Sequence, residues 1–167
     1  MPSDHLTCVV TRGGDDEPEW LERWLHLNCI LPHVIGPRSE GWTGEHEEIA
    51  LTELKDFWVK AYQLKDALKA DPSVASHIDI EGAIRASDTF VLLADLANGY
   101  KHPARNQPPR SGDYPNITRV SSIASTGSGG WRLQVVIEHK SAVIDGYDFA
   151  SKALEEWRAH LQRWGLV

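Results

Sequence analysis

The sequence predicts a mostly α fold of α+β character: an antiparallel helical bundle with a small three-stranded antiparallel β meander before the C-terminal helix. Three observations predict it. Apolar residues recur every three to four positions through long stretches before residue 103 and again after residue 148, the period of an amphipathic helix. Between residues 116 and 146 that period gives way to alternation and β-branched residues, the mark of strands. No repeat or linker divides the two patterns, and so small a meander cannot fold alone, so residues 1–167 read as one domain.

In chain order, residues 1–17 offer only the apolar run Leu6 to Val10, which fits either an edge strand or a poorly ordered end. A helix is expected from Pro18, with acids in its first turn and Pro32 as its stop. Trp20, Trp24 and Leu27 lie three to four apart along it, a packing stripe. Proline and glycine make a loop of Pro32 to Gly44. The second helix, Glu45 to Ala70, has Ala50, Leu54, Phe57 or Trp58, Ala61, Leu64 and Leu68 as its buried stripe. Asp71 before Pro72 is a cap followed by a first-turn proline, and Asp79 caps the next helix. That helix, Ile80 to His102, reads as one long apolar element ended by Pro103.

After the Pro-rich loop Pro103 to Asn116, Asn116 to Ser125 and Trp131 to His139 are expected to pair across the Gly-rich turn 126–130. Alternation puts Leu133, Val135 and Ile137 on one face. Ala142 to Ile144 is a third strand, with Asp145–Gly146 as a turn. Asp148 then caps a final helix whose stripe is Phe149, Ala153, Leu154, Trp157, Leu161 and Trp164, with Gly165 as its end.

Composition bounds the function. Seven tryptophans against one methionine point to a core, or a homodimer interface, anchored by indoles. A net charge of −7 opposes broad attraction to nucleic acid. The charge is uneven, however: Lys101, Arg105, Arg110 and Arg119 stand against Asp113 alone, a local basic patch through which RNA could be bound by Arg105 and Arg110. Cys8 and Cys29 lack CxxC spacing and suggest neither a zinc site nor a disulfide framework. No stretch is apolar enough to span a membrane, and no signal-peptide pattern opens the chain. The expectation is a cytoplasmic protein with no membrane partner.

The candidate site is the polar cluster Asp95, Asn98, Lys101 and His102. Spacings of three, four and seven place Asp95, Asn98 and His102 on one helical face. A carboxylate or amide one turn from an imidazole can orient it and set its tautomer for general acid–base work. The alternative is that Asn98–Gly99 ends the helix, with Gly99 as a left-handed cap and His102 on the last carbonyls. The eight histidines show no HxxxH or HExxH spacing, so no metal site is expected. No cofactor motif is present: Ser121, Ser122, Ser125 and Ser128 lie outside any G-x-S-x-G elbow, and the glycines 127–130 do not lead a strand into a helix.

A bundle helix ending in Asp95-x-x-Asn98-x-x-Lys101-His102 resembles HEPN-like proteins, in particular a group of uncharacterised bacterial proteins with a similar D-x-x-N-x-x-K-H segment. The HEPN ribonuclease signature is an Arg followed after four to six residues by His, with a polar residue, often Asn, after the Arg. Asn98 and His102 match it, and Ala97 stands where the catalytic Arg belongs. The resemblance implies a helical bundle, often dimeric, with two His-bearing helix ends facing each other. It does not carry the nuclease activity over, because Lys101 cannot reproduce a planar guanidinium and Arg105 lies beyond Pro103. Two functions are therefore expected from the sequence. The first is a non-catalytic binding or assembly module working as a homodimer; the second is an RNA-processing ribonuclease using His102 with Asn98, Lys101 and Asp95.

Overall fold

The computed structural model describes residues 17–36, 44–101, 108–124 and 130–167. The Leu6 to Val10 run, His102, Pro103, Arg105 and most of the glycine turn lie outside the described residues. The described elements are α1 (Glu19–Ile35), α2 (Gly44–Ala70), α3 (Pro72–Ala75), α4 (Ile80–Ala86), α5 (Asp88–Lys101), β1 (Asn116–Ala124), β2 (Trp131–His139), β3 (Ala142–Asp145) and α6 (Gly146–Arg163). The mostly α architecture with a three-stranded meander before the last helix is as the sequence predicts.

The hub of the fold is α2. Its stripe Ala50, Leu54, Phe57, Trp58, Ala61, Leu64 and Leu68 is almost wholly buried, and α1, α3, α4, α5, α6, β1 and β2 all pack on it. A stripe of helical period can be enclosed on several sides only when other elements surround it, and here they do. Trp157 of α6 drives its indole into this centre, and its Nε1 donates to the Ala61 carbonyl at 2.9 Å. Burial of the ring thus leaves no orphaned donor. Trp20 and Trp24 close the α1 side, with Trp20 Nε1 donating to Asp71 at 3.0 Å. No helix among the described residues is long and apolar enough to cross a membrane.

The sheet has order β1-β2-β3, antiparallel throughout. Leu133, Val135 and Ile137 are at most 1% exposed, so the expected register and inner face are correct. Cross-strand partners share a face, which puts Ile117, Val120 and Ile144 inside with them, and Ile123, Val136 and Val143 outside.

Four local readings need correction. Pro32 does not stop α1, which runs on to Ile35; a proline near a helix end removes only one hydrogen bond, and Pro32 is exposed. The long helix expected from Ile80 is broken at Ser87, whose backbone is extended (φ −109°, ψ 118°). Ser87 Oγ accepts the Phe90 amide proton at 3.0 Å and donates to Glu156; Ser-Asp at 87–88 is a new N-cap with an acid behind it, a signal masked by continuous apolar periodicity. Asp145, not Asp148, caps α6, accepting from the amides of Tyr147 and Asp148. The strand feeds straight into the helix, so its last residue doubles as the cap. Gly146 follows because a Cβ there would meet Leu54, Val135 and Trp58 at 3.1–3.2 Å. Finally, Cys29 is disulfide-bonded, a pairing that sequence spacing cannot reveal because a bridge depends on spatial approach; Cys8 lies outside the described residues.

Candidate functional site

Asp95, Asn98 and Lys101 all belong to the C-terminal half of α5, one continuous helix. Gly99 lies inside α5, which continues to Lys101, and it has no positive φ. Asn98–Gly99 therefore does not end the helix, and the part of that alternative that rests on His102 lies outside the described residues. Asn98 is exposed, whereas Asp95 is 7% exposed and Ala97 only 1%. The position that the HEPN signature reserves for arginine thus points into the core.

Asp95 is directed at backbone. Its Oδ1 accepts the Arg110 amide proton at 2.7 Å and its Oδ2 the Ser111 amide proton at 2.8 Å. A buried carboxyl group holding two successive amides is a staple: it satisfies loop donors that would otherwise be costly to bury. It therefore positions the loop 108–113 against α5. From Ser111 a second set of bonds runs on. Ser111 Oγ donates to the Asp113 carbonyl at 2.7 Å and lies 2.8 Å from His139 Nε2. The serine has one proton and uses it on Asp113, so Nε2 is the donor to Oγ. Asp113 Oδ2 accepts the Lys140 amide at 3.0 Å. The loop is thereby tied to the β2–β3 turn, where Lys140 and Ser141 take positive φ of 49° and 64°.

Arg110 turns toward α2 and α4. Its guanidinium lies 3.8 Å from Glu81 and 5.8 Å from the centre of the Tyr62 ring. Glu81 also receives Lys69 at 2.9 Å and Lys65 at 3.7 Å, while Lys65 bonds Asp66 at 2.6 Å. The hydrogen bond from Lys69 holds the Glu81 carboxyl below the usual carboxylate range, with Lys65 and Arg110 adding to it and partial burial opposing. Burial pushes the Tyr62 phenol up, against the pull of Arg110. The basic patch expected around Arg110 is in part internally compensated.

Of the sequence candidates, the structure brings Asp95 and Arg110 together, through the Arg110 backbone. It leaves Asn98 at the surface on the same helix. Sequence reasoning missed Ser111 and His139. The Ser111-Gly112-Asp113 turn, with Gly112 at φ 83°, was the available signal. Among the described residues no three His, Cys, Asp or Glu side chains gather as a metal site would require. No protein-family model, curated protein or solved structure matches this chain.

Proposed function

We propose that this chain is a non-catalytic binding and assembly module of HEPN-like type that works as a homodimer. The observation that carries the reading is the inward direction of Ala97, 1% exposed. An arginine there would have to be buried, so the charge-stabilising donor of the ribonuclease signature is missing in position as well as in kind. The use of both Asp95 oxygens on loop amides supports the same reading, since a carboxyl so engaged serves position rather than proton transfer. Support for self-association comes from the outer face of the sheet, where Val143 is 72% exposed and diagonal to the half-buried Val136, with Ile123 farther along the same face on β1. Trp131, 41% exposed, lies at the sheet's end. The compartment proposed is the cytoplasm; against it stands the bonded state of Cys29, since disulfides persist in oxidising compartments.

The competing reading is RNA processing by His102 with Asn98 and Lys101, favoured by the exposure of Asn98 at the end of α5. One set of measurements separates them. Light scattering coupled to size exclusion at micromolar concentration is expected to give twice the 18.7 kDa chain mass, and Val143→Lys is expected to return the monomer. A pool of structured and single-stranded RNAs is expected to remain intact with the wild type. Cleavage that disappears in a folded His102→Ala variant would replace this proposal with the nuclease.

A further inference from the structure

The bonds that run from Asp95 through Ser111 to His139 end at a cleft that the assembly reading does not use. It lies between the N-terminal half of α5, the β2–β3 hairpin and the start of α6, and it encloses about 400 Å³, within the range of small-molecule sites. Its floor is apolar: Val91 and Leu92 from α5, Ile144 from β3 and Phe149 from α6. Its rim carries charges of both signs, Asp88 and Asp148 on one hand and Lys140 and Lys152 on the other. All four are exposed, and no ion pair joins any of their side chains among the described residues.

Two features show that the polar wall of this cleft is held in place. His139 is fixed by its 2.8 Å contact with Ser111, whose amide is in turn held by the buried Asp95. Lys140 sits in a left-handed conformation that L residues rarely adopt, and its amide is braced by Asp113. Such strain persists where surrounding structure over-determines it.

Charges of both signs, without ion-pair partners among the described residues, at the rim of an apolar floor suit a small molecule that carries both charges and an apolar side chain. We propose that this cleft binds a zwitterion with an apolar side chain, the class of aliphatic and aromatic α-amino acids. Lys140 and Lys152 receive the carboxylate, Asp88 and Asp148 receive the ammonium, and the side chain lies on Leu92, Ile144 and Phe149. The inference is independent of the homodimer reading and of RNA.

The test is isothermal titration of the full chain with L-leucine and L-phenylalanine, then with 4-methylpentanoate, which lacks the amino group, and 3-methylbutylamine, which lacks the carboxylate. Saturable binding of at least one amino acid is expected, with both truncated compounds at least tenfold weaker. Lys152→Gln and Asp148→Asn, both at exposed positions, are each expected to weaken binding tenfold while the protein stays folded by its thermal melt, and Lys69→Gln on α2 to leave binding unchanged. No saturable binding of either amino acid at millimolar concentration overturns the proposal. Equal affinity for 4-methylpentanoate, for 3-methylbutylamine or for glycine does so as well, because the second charge or the apolar floor would then contribute nothing.

Discussion

Toward its N-terminal end α5 is fixed by apolar burial: Phe90 is fully enclosed, its ring 4.4 Å from that of Trp157. In its second half the same helix is fixed to the neighbouring loop by one polar side chain, Asp95, which holds two amides of a segment that has no ladder of its own. The difference is instructive. Apolar contact scales with area and tolerates small displacements, so it serves to place a helix. A carboxyl group bonded to two successive amides has a narrow geometry, so it serves to place a loop. In this molecule the first device builds the core, and the second brings Ser111 and His139 to the cleft.

The largest expected effect belongs to the apolar end. Trp157→Ala removes a side chain with no solvent exposure, and the cost for such a truncation is about 3–5 kcal/mol. Urea denaturation followed by circular dichroism would measure it. A loss below about 1 kcal/mol, within the range of exposed substitutions plus error, would mean that area burial is not what places this end of α5.

Next comes the polar end. Asp95→Ala leaves the amides of Arg110 and Ser111 without their acceptor. Each lost acceptor costs about 1–3 kcal/mol if the amide stays dry and less where water can reach it. A total of about 1–3 kcal/mol is expected on the same principle. The comparison is sharpened by amide exchange, which should speed up at Arg110 and Ser111 while Leu93 and Ile84 keep their protection. Uniform loss of protection would show that Asp95 supports the core rather than the loop.

Ser87→Ala is a smaller disturbance at the apolar end. It deletes the cap on the Phe90 amide and the bond to Glu156, for which about 1 kcal/mol is typical of lost N-caps. Because Phe90 and Trp157 still hold the helix, the exchange of Arg110 and Ser111 should not change. If it does, the two ends of α5 are coupled.

What was legible in the sequence follows the same division. Stripes such as Leu54 to Leu68 and the alternation from Leu133 to Ile137 repeat at a fixed period, so burial could be read from them directly. The break at Ser87 was hidden because apolar residues continue on both sides of it, and periodicity reports a face without reporting whether the axis bends. Asp95 and Asn98 were recognisable as polar residues one turn apart on one helix; that the first is buried and the second exposed was not. Nor were the actual partners of Asp95, because a backbone amide fifteen residues away carries no side-chain signature. His139 was read as a strand residue alone, since its contact with Ser111 arises only when the hairpin folds over the loop after α5.

The smallest expected effect is a pH dependence to which the apolar end contributes through His160. His160 lies between the rings of Phe90 and Trp164, with centroids at 5.4 and 5.1 Å, and its Nδ1 is buried without a partner among the described residues. Burial lowers its pKa from the ordinary 6.5 and Arg163 adds to this, while Glu156 opposes. A group whose folded pKa lies below its unfolded value contributes stability that is full above the unfolded value and is lost as pH falls through the folded one. The melting temperature should therefore decline as pH drops below 6.5, and His160→Gln should flatten that decline. His26 is lowered too, by burial and by Lys60 against Glu22, so His26→Gln is the necessary parallel variant. Glu81 and Asp71, whose ordinary values are 4.5 and 3.8, act only at lower pH. Amide exchange supplies the spatial test: between pH 7 and pH 5.5, after correction for intrinsic rates (a window of about one unit around the ordinary histidine value), protection should fall at Phe90 more than at Ser111. Equal slopes for wild type and His160→Gln would remove His160 from the account and leave apolar contact alone as the support of this end.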